Sequence, residues 1–356
     1  MTEFEKIWSF RNLYKAHLSA RRGKRDTKEV IQFELNLGSN LVRLSNAIRN
    51  KTYRISGYYH FQVHDPKERE IHALHYVDRV VQHCICDEVL SVILEKRLIY
   101  DNAACRIGKG THFALERFDH FLHDYYREHR SEGYVLRCDI QKFFDNIDHD
   151  VLKYKLMNVV EDYDVMDLLC MIINSFEIAP RKGLPLGNQT SQWFAIYYLD
   201  GFDRLIKEQL HISCYSRYMD DCVLVHHNRK YLKYCLEEMK EYARENLKLD
   251  FNEKTQIFPL RNGVDYLGWH FYLMDSGKVI KKVRRQTKKK YKRRLKEMSY
   301  AYAYAYDIMS LEDVDQVLAS YRGDLSHGNA YRMQKHMLGT FVLRKRDWRS
   351  KRKKLK

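Results

Sequence analysis

Residues 214–225 read CYSRYMDDCVLV: two apolar or aromatic arms, Cys214–Tyr218 and Cys222–Val225, separated by Met219, Asp220 and Asp221. Short runs of this composition around a small polar break predict a β-hairpin whose turn carries adjacent carboxylates. A further strand-like run, YVLRCDI at Tyr134–Ile140, leads into a lone acid, Asp139. Apolar residues at helical spacing predict two core-facing helices. One carries Ala114, Phe118, Phe121, Leu122 and Tyr125, the other Leu232, Cys235, Leu236, Met239 and Ala243. Strands and helices therefore mix in an α+β pattern. Tyr300–Tyr306 alternates Tyr and Ala, but its alanines and helical flanks favour helix over strand.

The charge is concentrated. Of a formal net +16 over 356 residues, Lys281–Lys296 supplies 11 basic residues with no acid, and Arg344–Lys356 supplies nine with one acid. Without those two segments the chain is slightly acidic, so the positive field belongs to a late helix and a basic tail. A field this dense and of one sign suits a polyanion. Ile280, Val283, Thr287, Tyr291, Leu295 and Met298 recur at near-helical intervals, giving that segment one face to dock and one basic face outward.

The longest uncharged run, Gly183–Leu199, contains Asn188, Gln189, Thr190, Ser191 and Gln192 and is too polar for a membrane span. The start, MTEFEKIW, lacks the pattern of a signal peptide, so a cytoplasmic location is expected. Of the eight cysteines, only Cys84 and Cys86 are close, at a spacing unlike zinc motifs, and free thiols are expected. His226 and His227 are adjacent in a strand, where side chains face opposite ways, and make a poor chelating pair.

Acids gathered from separate strands repel one another unless cations neutralise them, and carboxylate oxygens suit Mg2+. Beside a basic helix, such a centre serves phosphoryl transfer with two ions.

Tyr218-Met219-Asp220-Asp221 resembles the catalytic turn of reverse transcriptases. Further blocks resemble that family in the same order, over roughly Pro66–Phe271. They are Arg69-Glu70-Ile71; Asp78 to His83 (DRVVQH); Cys105 to Gly110 (CRIGKG); Asp139 to Asp148 (DIQKFFDNID); Gly183 to Gln192 (GLPLGNQTSQ); Lys254-Thr255; and Tyr266-Leu267-Gly268-Trp269. The resemblance implies a right-hand polymerase architecture of fingers, palm with antiparallel sheet, and helical thumb. The corresponding segments are an N-terminal extension at 1–65, fingers at 66–138, palm at 139–275, thumb at 276–343 and the basic tail at 344–356.

It also implies roles. Asp139, Asp220 and Asp221 bind two Mg2+ ions, with Mn2+ as an alternative, and the Ile140 carbonyl completes one metal shell. Lys254 stands near the place of the proton donor to pyrophosphate. Lys67 and Arg69 grip the triphosphate of the incoming dNTP, a guanidinium suiting phosphate oxygens. Phe144 is the gate against a ribose 2′-hydroxyl, and Leu186, Gly187 and Gln192 border the nucleotide. Tyr218 and Met219, with the primer grip at Tyr266, Leu267 and Gly268, meet the template and primer. Lys281, Lys282, Arg284, Arg285, Lys288, Lys289 and Lys292 track its backbone.

Most reverse transcriptases have glutamine where Leu186 stands and proline where Gln192 stands. The pattern Leu-Gly-x-x-x-Ser-Gln is similar to that of diversity-generating retroelement reverse transcriptases. These copy a template-repeat RNA into cDNA with errors opposite adenines and work with a small, basic, oligomeric accessory protein. That subfamily implies a bacterial, archaeal or phage-infected cell. Two alternatives stand beside it: a group II intron-like or retron-like reverse transcriptase, and an RNA-binding scaffold on an inactive polymerase fold. Retention of all three acids disfavours the second.

Overall fold

The computed structural model describes residues 1–64, 68–304 and 310–343. The chain divides into two compact units. One comprises residues 1–117 and 136–257, the other 118–135 and 258 onward.

The first unit opens with four helices, α1 (Glu3–Trp8), α2 (Phe10–Ala20), α3 (Lys28–Leu35) and α4 (Leu37–Arg49). Thr2 and Glu5 close a reciprocal capping box on α1. A ribbon follows, β1 (Tyr58–Val63) paired antiparallel with β2 (Arg69–Leu74), and straddles the expected boundary between residues 65 and 66. Next come α5 (Tyr76–Ile85) and the short α6 (Ser91–Leu94). α2 packs on α5 and α1 on α4, so the first 49 residues form part of the unit's core. Asp78 of the DRVVQH block is wholly buried on α5, accepting hydrogen bonds from the Tyr53 hydroxyl at 2.7 Å and the Ser56 N–H at 3.0 Å. It is a structural tie rather than a surface acid.

α7 (Thr111–His129) begins in this unit and ends in the second, and β3 (Tyr134–Cys138) returns the chain. Then follow α8 (Phe143–Asn146), α9 (His149–Met157), α10 (Tyr163–Asn174), α11 (Gln189–Tyr198), α12 (Asp200–Arg204), β4 (Tyr215–Tyr218), β5 (Asp221–His226), α13 (Arg229–Leu247) and β6 (Gln256–Pro259). The four strands form one sheet in the order β4–β5–β3–β6. Cys222–Val225 of β5 and Val135–Leu136 of β3 are buried without alternation, as in a sheet covered on both faces. α13, the second helix expected from apolar spacing, is capped by Asn228 and ends at Lys248 in a left-handed conformation (φ 51°).

In the second unit β7 (Val264–Tyr266), β8 (Trp269–Leu273) and β9 (Val279–Val283) form an antiparallel sheet. Three helices follow, α14 (Arg285–Tyr304), α15 (Leu311–Ser326) and α16 (Tyr331–Gly339). α14 settles the Tyr/Ala stretch as helix through Tyr304; Ala305 and Tyr306, and the basic tail from Arg344, lie outside the described residues. Phe118 and Phe121 of α7 are buried here, with Phe118 against Tyr266 and Phe271 at ring-centroid distances of 5.3 and 5.1 Å. The eight cysteines carry thiols, six of them buried and Cys105 and Cys170 half-buried. Among the described residues no helix is long and apolar enough to cross a membrane.

Candidate active site

β3 is two residues shorter than expected. It stops at Cys138 because the chain next pairs with the segment before β6: Ile140 bridges Phe251, with Asn252 N–H donating to the Asp139 carbonyl at 2.7 Å and Gln141 N–H to Asp250 at 2.9 Å. Those flanking bonds turn Ile140's own carbonyl away from Phe251. Thr255 completes the clamp, its hydroxyl accepting from Asp139 N–H at 3.1 Å. Asp139 is thus the first residue beyond the strand, with its backbone fixed from 250–255. Lys254, beside that threonine, is exposed.

The β4–β5 register pairs Tyr218 with Asp221, so the turn is Met219–Asp220 and Asp221 is the first residue of β5 rather than part of the turn. Met219 has φ 55°, a left-handed conformation that costs a non-glycine residue about 1–2 kcal/mol. Its carbonyl accepts from Arg217 Nη1 at 2.8 Å. Arg217 is itself wholly buried, its guanidinium also bonded to both carboxylate oxygens of buried Asp203 and to the Ile196 carbonyl at 3.0 Å. Burial alone would lower the Arg217 pKa, but Asp203 reverses the effect and holds it above the ordinary value.

β5 and β3 are neighbours, which brings Asp220 and Asp221 toward Asp139. Burial raises the Asp221 pKa; Arg137 opposes the rise, and the charges of Asp220 and Asp139 add to it. Arg137 reaches both oxygens of Asp221 at 3.4 Å. The three carboxylates are therefore within electrostatic reach, although they do not close to shared coordination distance in this conformation. Among the described residues, the trio of potential ligands within 4.8 Å of one another is His60, Glu70 and His72. Like charges splay, and Asp221 leans on Arg137. The donor set still fits divalent cations: hard oxygens, mutually repelling, in a part-buried place.

Phe144, on α8, is half-buried and meets buried Phe143 edge-on at 5.6 Å, while its carbonyl accepts from Leu184 N–H at 2.9 Å. That bond ties it to the GLPLG loop. Leu186 lines a cleft of about 630 Å³ with the β1–β2 ribbon, and Gly187 is exposed with φ 99°. Gln192, on α11, accepts from the Cys105 thiol at 3.1 Å, joining two blocks of the motif series. Tyr218 is half-buried at the end of β4. Arg69 opens β2 opposite Val63, and Lys67 lies outside the described residues. Asp148 serves as the cap of α9, accepting from the N–H groups of Asp150 and Val151, with Lys248 at 2.8 Å.

In the second unit three expectations change. Tyr266 is wholly buried against Phe118, so its ring is core and offers no face to a primer; the half-exposed tip is Leu267–Gly268, both with positive φ (44° and 88°) as a tight hairpin requires. Lys281 and Lys282 belong to β9, not to the basic helix, because Ile280 and Val283 pair with β8. Lys281 and Arg284 are also engaged internally, with Asp119 at 3.7 Å and Asp265 at 3.1 Å. Arg285, Lys288, Lys289 and Lys292 remain exposed on α14, whose Leu295 and Met298 are buried. Back in the first unit, His226 and His227 do not face opposite ways: β5 ends at His226 and the two rings lie 4.3 Å apart.

Arg137, Arg217 and Asp203 belong to no role assigned from the sequence, and Thr255 stood in the Lys254-Thr255 block without one. The legible trace was an arginine inside each of two apolar strands, next to the acids.

A mixed helical and antiparallel architecture with acids at the ends of adjacent central strands belongs to the α+β class, in the right-hand polymerase fold. The family profile "Reverse transcriptase (RNA-dependent DNA polymerase)" matches residues 63–271, more than half of the chain. The chain belongs to the reverse transcriptase family. No curated protein matches the sequence. Similar solved structures include telomerase from Candida albicans in complex with a TWJ fragment of telomeric RNA, at 11% identity over 77% of this chain and 55% of that one, TM-score 0.48. Apo telomerase from Candida tropicalis, truncated of its C-terminal domain, matches at 12% identity over 67% and 59%, TM-score 0.47. The same species' telomerase with a TWJ fragment matches at 12% over 83% and 58%, TM-score 0.48. The chain spans somewhat more than half the length of these structures.

Proposed function

We propose that this chain is an RNA-directed DNA polymerase that extends a DNA or RNA primer on an RNA template with dNTPs. The observation that carries the reading is the placement of Asp139, just past β3, beside the adjacent hairpin that carries Asp220 in its turn and Asp221 at the start of β5, where their charges act on one another. Asp139, Asp220 and Asp221 would hold two Mg2+ ions, assisted by the Ile140 carbonyl. Such ions, when bound, polarise the attacking 3′-hydroxyl and the pyrophosphate leaving group. Arg137 orients Asp221, Thr255 fixes the Asp139 backbone, and Arg217 holds the turn. Phe144 borders the sugar, Leu186 the nascent pair, and Lys254 supplies a proton near the leaving group. Residues 66–138 act as fingers, 139–275 as palm and 276–343 as thumb, with the exposed lysines of α14 gripping the nucleic-acid backbone.

Within the family, Leu186 and Gln192 support the diversity-generating type, with a template-repeat RNA, adenine-directed errors and a small basic accessory protein. Leu186 lacks the amide that would check the pair. A hydrogen bond is worth about 1 kcal/mol, under one tenfold step in selectivity, so this residue relaxes fidelity only partly.

Primer extension on a defined RNA with Mg2+ and dNTPs, followed by sequencing of the cDNA, tests both levels. Extension is expected from the wild-type chain and its loss, by at least ~100-fold, from Asp220→Asn. No extension under any primer–template pairing would overturn the polymerase. Leu186→Gln is expected to lower misincorporation by a few-fold; an unchanged error spectrum removes Leu186 from the account.

A further inference from the structure

The β1–β2 register sets His60 directly opposite His72, and places Glu70 diagonally across on the same face. His60 Nδ1 lies 2.8 Å from His72 Nδ1 and 3.8 Å from Glu70 Oε1, and one ligand atom from each of the three falls within 4.8 Å of the others. Nitrogen and oxygen donors bound at 2.0–2.2 Å to a tetrahedral ion stand roughly 3.3 Å apart. Closing the trio on an ion therefore asks the two rings to part by about half an ångström and the Glu70 carboxylate to approach them by about 0.5–1.5 Å. His60 and Glu70 are each 60% exposed and free to make that adjustment, while His72 is seated against the Phe176 ring at 4.6 Å.

The cleft that these residues line also carries Glu68, Asp145 and Glu177, and no lysine or arginine is among its described lining residues. Four carboxylates line this cleft with histidines as their basic neighbours, His60 at 3.8 Å from Glu70 and His64 at 3.4 Å from Glu68, a setting that favours a cation. Two imidazoles with a carboxylate select the borderline first-row ions above Mg2+, since nitrogen donors suit zinc, cobalt and nickel whereas Mg2+ keeps to oxygen.

We propose that His60, Glu70 and His72 form a binding site for a divalent transition-metal ion of the zinc class on the β1–β2 ribbon, separate from the three aspartates. The ribbon's geometry alone carries this, so it stands or falls independently of the polymerase reading. The site's remaining position opens to the cleft shared with Asp145 and Leu186, accessible to water or an additional carboxylate. The competing description of the same atoms is a plain hydrogen bond between two neutral rings, which needs no ion.

The test is optical titration of the full chain, stripped with chelator and held in excess Mg2+, with Co2+ as the probe. One equivalent of Co2+ is expected to give visible d–d absorption, abolished stoichiometrically by Zn2+. His60→Ala and His72→Ala, checked for unchanged far-ultraviolet circular dichroism, are expected to weaken binding by at least ~100-fold. Asp220→Asn is expected to leave it intact. Absence of the absorption in the wild-type chain, its persistence in both histidine variants, or a thiolate-to-cobalt charge-transfer band assigning the ion to cysteines would each overturn the proposal.

Discussion

Arg217→Met is the most demanding trial of how the catalytic turn is supported. Arg217 and Asp203 have 1% and 0% of their side-chain surface exposed. Asp203 also accepts from the Tyr215 hydroxyl at 2.6 Å, and Arg217 from one side holds the carbonyl of the left-handed Met219. Removing the guanidinium leaves a buried carboxylate without its countercharge, a loss of about 3–5 kcal/mol. Against a total stability of about 5–15 kcal/mol, a loss near 4 multiplies the unfolded population by about 1,000. Urea unfolding followed through Trp193, buried in the same unit, measures it. Arg217→Met with Asp203→Leu removes both charges and is expected to recover most of the stability, short of about 1 kcal/mol for the orphaned Tyr215 hydroxyl. Primer extension should stay low in that double variant, since the Met219 carbonyl has still lost its donor. A single-variant cost under about 1 kcal/mol, or strictly additive effects in the pair, would refute the reasoning.

Phe144→Ala should admit ribonucleotides, raising rNTP use relative to dNTP by roughly 10–200-fold in single-nucleotide incorporation, the worth of a steric contact in a pocket. Asp221 has its pKa raised by burial and by Asp220 and Asp139, so its charged form burdens the fold once the pH exceeds the ordinary carboxylate range. Asp221→Asn should therefore melt higher than the wild-type chain at pH 7 in chelator, with the advantage fading as acid protonates the wild-type group; a lower melting point at pH 7 would mean that the Arg137 pairing dominates. Gly328→Ala should destabilise the second unit by about 1–3 kcal/mol in thermal unfolding, because the added Cβ would fall 2.1 Å from the Trp269 ring.

Much of this arrangement could be read from residue order. The 3.6-residue spacing marked α7 and α13 because each buries one stripe, and the CVLV run marked β5 because a strand covered on both faces has no reason to alternate. The acids were legible because a carboxylate abutting such a strand has little solvent to explain it. The failures share a cause: local pattern is silent about partners distant in sequence. Ile280 and Val283 fit helical spacing as well as a strand, and only pairing with β8 decides. An arginine in a strand reads as solvent-facing until its carboxylate is found; Asp203 lies 14 residues from Arg217 and Asp221 lies 84 from Arg137. Tyr266, taken with its motif as a contact residue, proved to be core once Phe118 supplied its neighbour. The His60–Glu70–His72 trio was hidden for the same reason, since register across a ribbon is not written in either strand alone.

The second unit draws residues 118–135 from the middle of the chain and the rest from beyond 257. During synthesis, Phe118, Phe121 and Leu122 emerge long before Tyr266 and Phe271 exist to cover Phe118. At about 5–20 residues per second the wait lasts roughly 7–30 s. Throughout that interval the nascent polypeptide presents a greasy stripe to whatever surrounds the ribosome, which makes this helix the place where chaperone capture or mispairing between neighbouring polysomal copies would begin.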